Sequence, residues 1–218
     1  IPSAMIGRGT GQLHELPDQL AIAQGLTKFA ARMDAPGDAP ATLAEAFRQL
    51  HTGRRRPVHV EMAMDILKAE GDVTPIDPPD SYDAEPDPDR IAAAAKLLGE
   101  ARNPLIFAGG GAVDAGADLL LLAELLQAPV VMSRGALGAI DSRHPLALTP
   151  PHGHKLWKDA DVVLGIGTRL VPMVPGWGSD DGLKFVRLDI DAEEMGRSHT
   201  PDVAIHADAA LGLAALSA

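Results

Sequence analysis

Short apolar runs recur through the second half of the chain, each followed by glycine or a polar turn and separated by about one helix length. They are residues 104–108 (PLIFA), 129–132 (PVVM), 161–166 (DVVLGI), 185–190 (FVRLDI) and 203–206 (VAIH). Runs this short that are apolar at consecutive positions suit strands buried on both faces, as in a parallel sheet. Between and after them, residues 91–101, 114–126 and 209–216 carry apolar positions at helical spacing. Strand and helix in alternation imply right-handed crossovers, so the predicted fold is α/β, a Rossmann-like doubly wound parallel sheet.

The first part is less regular. Residues 42–50 (TLAEAFRQL) predict a helix with Thr42 as N-cap and Glu45 three residues on. After a turn at residues 53–57, residues 58–62 (VHVEM) alternate as a strand with one buried face. Residues 20–33 suggest a further short strand and helix, and so few elements make only a partial α/β domain that wants a partner. Residues 72–89 (DVTPIDPPDSYDAEPDPD) combine prolines, which remove backbone donors, with mutually repelling carboxylates, and so read as an extended linker. The expected organisation is a partial domain over 1–70, a linker over 71–89 and a nucleotide-fold domain over 90–218.

Composition narrows the classes. A hydrophobic content of 46% supports a true core, and 3% aromatics means one built mainly of Ala, Leu, Val and Ile. The formal charge of −11 argues against nucleic acid or an anionic membrane as partner. The absence of cysteine excludes disulfides, thiolate metal sites and a cysteine nucleophile. No apolar run approaches the roughly 20 residues that cross a bilayer, and the start has no basic then apolar segment, so the expected location is cytoplasmic. The chain starts without Met, and part of something longer is one expectation.

In such a sheet ligands lie beyond the carboxyl ends of the strands, which places the turn 109–116 (GGGAVDAG) where a nucleotide would sit. Its glycines either let the backbone approach a phosphate or merely permit a tight strand-to-helix turn, and both readings stay open. The spacing is not G-x-G-x-x-G, and the next strand ends at Met132 and Ser133 without an acidic residue for a ribose diol, which disfavours an NAD-dependent dehydrogenase. An ADP moiety in another pose stays open. His152 and His154 look like a metal pair, but two apart on a Pro/Gly loop they read better as surface histidines. Arg169 is either a phosphate partner or a solvated loop cation. Asp189 and Asp191 either accept ribose hydroxyls or cap the element that begins near Ala192. The run Arg54, Arg55, Arg56 reads as a solvated turn. No Ser-His-Asp, H-E-x-x-H or P-loop arrangement is present, and no complete active site.

The order of glycine-rich turn, APVV, RHPL, ADVVLGIGTRL, FVRLDIDAEEMG and DVAIHAD resembles the central domain of thiamine-diphosphate-dependent enzymes of the acetolactate synthase type. Residues 53–66 (GRRRPVHVEMAMDI), 9–15 (GTGQLHE) and the pair Thr27, Lys28 resemble the end of that family's pyrimidine-binding domain. The resemblance implies a decarboxylase or carboligase using thiamine diphosphate and Mg2+, working as a homo-oligomer, dimer or tetramer, on a 2-oxo acid or acyl-CoA. It implies that the cofactor-activating glutamate precedes Ile1 and the metal-binding G-D-G segment follows Ala218, so that this chain alone is inactive. It places nucleotide contacts, to FAD or ADP where either is bound, at Gly109, Gly110, Gly111, Ser133, His152 and Gly153. Gly167, Arg169, Asp189, Ile190 and Asp208 complete that set. His14, beside Leu13 where acetolactate synthases carry Phe-Gln, becomes a candidate substrate-facing residue. Residues 170–175 (LVPMVP) replace the acidic, arginine-bearing loop of flavin-binding synthases, and Ala63-Met64 replaces Pro-Lys. A stand-alone ADP- or FAD-binding or regulatory module is the rival reading, and an electron-transfer flavoprotein domain a third.

Overall fold

The strand at Val58–Met62 forms where its alternation predicts, and it pairs in parallel with Phe29–Met33 in a sheet of two strands. This is seen in a computed structural model that describes residues 1–77, 80, 84–170, 176–178, 182–197 and 199–218. The chain divides into two compact units, Ile1–Tyr82 and Asp83–Ala218.

In the first unit the order is α1 (Gln19–Leu26), β1 (Phe29–Met33), α2 (Ala39–His51), β2 (Val58–Met62) and α3 (Met64–Lys68). In the stretch 20–33 the helix therefore comes before the strand. α2 starts three residues earlier than its apolar pattern suggests, and Thr42 is inside it rather than its cap. Pro40 explains this, because its fixed φ suits the first helical turn, where its missing N–H costs nothing. Glu45 reaches forward to Arg48 and Gln49 instead of back to a cap. Lys28 closes the other end of α2, donating from Nζ to the carbonyl oxygens of Gln49 at 2.8 Å, Thr52 at 2.5 Å and Arg54 at 3.3 Å. β1 and β2 set Arg32 opposite Glu61, whose carboxylate also meets His59 and Gln19. On the outer side of α2, Leu43 and Phe47 form an apolar groove of about 680 Å³ together with Val73, Pro75 and Ile76 from the start of the proline-rich stretch.

The second unit runs α4 (Pro88–Gly99), β3 (Pro104–Ala108), a 3-10 turn (Gly110–Ala115), α5 (Gly116–Leu126), β4 (Val130–Met132), β5 (Ala147–Leu148), α6 (Pro150–Trp157), β6 (Val162–Ile166), β7 (Lys184–Asp189), α7 (Ala192–Met195), β8 (Val203–His206) and α8 (Ala209–Ser217). α4 takes in the last two residues of the predicted linker, with Asp87 as its cap. All neighbouring strands are parallel, in the order β5-β4-β3-β6-β7-β8. The direction of winding reverses between β3 and β6, the arrangement expected of a doubly wound sheet. β5 is too short to carry a periodic signal, and it forms because Val130 and Val131 offer it an edge.

The two faces of this sheet differ. On one, α4, α5 and α8 cover a wholly aliphatic layer that includes Ile106, Leu119, Leu164 and Leu213. On the other, Phe107, Trp157, Phe185 and Trp177 gather, with ring centroids 5.4 to 6.0 Å apart, mostly edge to face. Such contacts are worth about 0.5–1.5 kcal/mol each beyond burial. The aromatics of the second unit are thus concentrated in one layer, and the Trp157 indole N–H donates to Gly178 O at 2.8 Å.

Candidate functional site

Because the sheet is parallel, every strand of the second unit ends on the same side, and the residues expected to contact a nucleotide all follow strand ends. Gly109, Gly110 and Gly111 follow β3, Ser133 follows β4, His152 and Gly153 lie in the helix after β5, Gly167 and Arg169 follow β6, Asp189 ends β7 with Ile190 just past it, and Asp208 follows β8. Five gaps of about 4.8 Å make this rim on the order of 24 Å wide, so His152 and Asp208 flank opposite edges.

At the centre the glycines meet each other. A Cβ on Gly109 would lie 2.2 Å from Gly167 O, and one on Gly111 2.9 Å from Gly167 Cα. Gly167 itself has φ +53°, in the left-handed region, and a side chain there would strike Gly111. The Gly111 N–H donates to Gly167 O at 3.2 Å, and the Gly109 N–H to Ile166 O at 2.9 Å. Those three glycines let two loops close on one another over the switch point. Gly110 differs: a Cβ on it would meet only Gly135 O, at the ordinary contact distance of 3.6 Å. Backbone without a close neighbour on its Cβ side is thus left at Gly110 and Gly135, whereas that space at Gly109, Gly111 and Gly167 is already filled by protein.

His152 and His154 are exposed on α6, not on a loop. Pro150 and Pro151 begin a helix rather than preventing one, and Gly153 brings it against the sheet, where a Cβ would lie 2.6 Å from a Val131 methyl. Residues two apart on a helix do not face each other, so the pair cannot share an ion. His152 Nδ1 lies 3.0 Å from Thr149 Oγ1, and the His154 ring rests on Trp177, centroids 5.0 Å apart. Among the described residues no group of three or more His, Cys, Asp or Glu could hold a metal ion.

The acidic residues at the strand ends have local work. Asp191 caps α7 through the Glu193 N–H, and Asp208 caps α8 through the N–H groups of Ala210 and Leu211. Asp189 Oδ1 accepts from the Asp191 N–H at 3.0 Å, while Oδ2 stands 3.8 Å from Arg187 Nη2. Ser133 begins the short turn after β4, its N–H donating to Ala108 O. Arg169 is exposed. Not anticipated from the sequence is Arg187, 1% exposed on β7. Its only signal is a charge in the middle of an apolar run. Burial lowers its pKa, opposed by the charges of Asp189 and Glu194.

In the first unit, residues 9–15 wrap around Glu15. Its carboxylate accepts from the N–H groups of Gly9 at 2.8 Å, Thr10 at 3.1 Å and Gln12 at 3.0 Å, and from the Thr10 hydroxyl at 3.0 Å. Desolvation works against the charge, but these donors outweigh it and hold the carboxyl below its ordinary value. At the tip Leu13 is 82% exposed and His14 is held at φ +67°.

Residues 91–216 match the family of thiamine pyrophosphate enzyme central domains. The chain belongs to that family. Similar proteins include a probable 2-ketoarginine decarboxylase of Pseudomonas aeruginosa, 33% identical over 98% of this chain and 40% of that protein. A probable acetolactate synthase large subunit of Methanocaldococcus jannaschii is 33% identical over 96% of this chain and 38% of its own length. The glyoxylate carboligase of Escherichia coli O157:H7 is 32% identical over 90% and 35%. The chain spans about 40% of the length of these relatives. No helix among the described residues is long and apolar enough to cross a membrane.

Proposed function

We propose that this chain is the central domain, with the end of a pyrimidine-binding domain before it, of a thiamine-diphosphate-dependent decarboxylase or carboligase that acts on a 2-oxo acid as a cytoplasmic homo-oligomer. The observation that carries this is the family match over residues 91–216 in a chain whose similarity to such enzymes extends upstream through the first unit. We take residues 1–70, 71–89 and 90–218 as partial domain, linker and central domain. The cofactor, with Mg2+, supplies the nucleophilic carbon and the electron sink for loss of CO2. The described residues hold no cluster suited to its metal, so no step of the chemistry is assigned to them.

What these residues would do is bind and position. Gly110 and Gly135 offer bare backbone to a diphosphate. Arg169 supplies a cation at the rim, and Asp189, Ile190 and Asp208 lie on its far side, toward β8. His14, at an exposed tip stiffened by Glu15, is proposed as a substrate-facing residue. The apolar groove along α2 supports burial of the first unit in a larger assembly.

The test is CO2 release from pyruvate, glyoxylate and 2-ketoarginine with thiamine diphosphate and Mg2+, by the 218-residue chain and by the chain extended to the length of its relatives. Turnover is expected only from the extended protein, and turnover by the short chain overturns the reading. Calorimetry with FAD and ADP tests the rim separately.

A further inference from the structure

Arg187 stands where an apolar residue would be expected. Its neighbours Val186 and Leu188 are fully buried, and so is its own side chain, at 1% exposure. A buried guanidinium is costly to desolvate, and the charges of Asp189 and Glu194 offset that cost only in part, so ion pairing alone does not account for it. Its contacts do. Nη2 donates to Thr168 O at 2.6 Å, Nη1 to Met195 O at 3.4 Å, and Nε makes no hydrogen bond. Gly165 on the adjacent strand leaves room for this path, since a Cβ there would lie 3.2 Å from Arg187 Cδ and 3.1 Å from a Leu170 methyl.

The loop that Arg187 grips closes over the switch point. Thr168 follows Gly167, which receives the Gly111 N–H and donates its own N–H to Leu188 O at 2.9 Å. Both Gly167 and Leu170 have positive φ, at 53° and 52°, a conformation that a non-glycine such as Leu170 holds only when its surroundings enforce it. The guanidinium thus ties the loop after β6 to the end of α7, from beneath.

We propose that Arg187 is a positioning residue for the nucleotide crevice. It holds residues 167–170 in the conformation that keeps Gly111 docked and aims Arg169 along the rim. The claim rests on the nucleotide reading above for its consequence, but not for its geometry.

The experiment compares the 218-residue chain with Arg187→Met and Arg187→Lys. Three readouts are taken: the urea midpoint, amide hydrogen exchange by peptide, and affinity for FAD and ADP by calorimetry. In Arg187→Met the urea midpoint is expected to fall, because Asp189 and Glu194 lose the cation buried beside them, while under native conditions exchange in segments 109–112 and 167–170 quickens about tenfold more than in the other strands. Nucleotide binding should weaken by about tenfold. Arg187→Lys keeps a donor for Thr168 O and loses the one for Met195 O, so it should fall between. Unchanged exchange in those segments, or exchange that quickens equally everywhere, refutes the positioning role. If the unaltered chain binds neither nucleotide, the nucleotide reading fails while local exchange still decides the role of Arg187. Should Arg187→Met not fold, Arg187→Lys decides alone: locally faster exchange supports the proposal and unaltered rates overturn it.

Discussion

Three adjacent glycines that look alike in the sequence have different neighbours. A methyl on Gly109 would strike the Gly167 carbonyl, whereas Gly110 meets only an ordinary contact. Gly109→Ala should therefore destabilise the second unit by roughly 1–3 kcal/mol, read from urea denaturation, because overpacked backbone cannot move aside. Gly110→Ala should stay within about 0.5 kcal/mol of the parent. If the diphosphate lies over Gly110, that same substitution weakens nucleotide binding without touching stability. Glu15 is a second case. Its folded carboxyl lies below the ordinary value, so it contributes order to residues 9–15 above the ordinary carboxylate range and loses it as pH falls below that range. Glu15→Gln should accordingly speed amide exchange at Gly9, Thr10 and Gln12 at neutral pH. His14→Ala should then alter substrate KM in the extended enzyme more than it alters stability.

At the scale of elements, α2 shows charge used at both its middle and its end. Arg48 first, then Gln49, hold the Glu45 carboxyl down to about 2. Because the folded value is depressed, the contribution is complete above the ordinary carboxyl value of 4.5 and is lost as pH falls toward about 2. Helicity over α2 should decline across that interval ahead of the second unit, as followed by residue-resolved exchange. Lys28 at the carboxyl end meets three carbonyls and the negative end of the helix dipole, and Lys28→Met should cost about 1 kcal/mol in urea unfolding of the first unit. α6 escaped the sequence reading because PPHGH has the composition of a loop. The docking of Gly153 on Val131 and the burial of Trp157 in the aromatic layer give a helix there something to bury.

At the scale of the molecule, both apolar cores belong to the second unit, while the strands of the first unit are mostly only half buried. A sheet of two strands is marginal by itself. Urea titration followed by hydrogen exchange should therefore show residues 1–82 losing protection before residues 83–218. A single concerted loss across both would contradict that expectation.

The parallel, doubly wound sheet was legible because each buried strand needs a run of apolar residues, and such runs stand out against helices of a different period. The rim was legible too, since parallel strands put all their following turns on one side. Which of these glycines a neighbouring loop occupies was not, because residues 109–111 and 167 are far apart in the chain and their contact exists only once β3 and β6 are paired. The same holds for Arg187: the sequence shows a cation in a strand, and only the fold supplies the carbonyls of Thr168 and Met195 that give it something to hold.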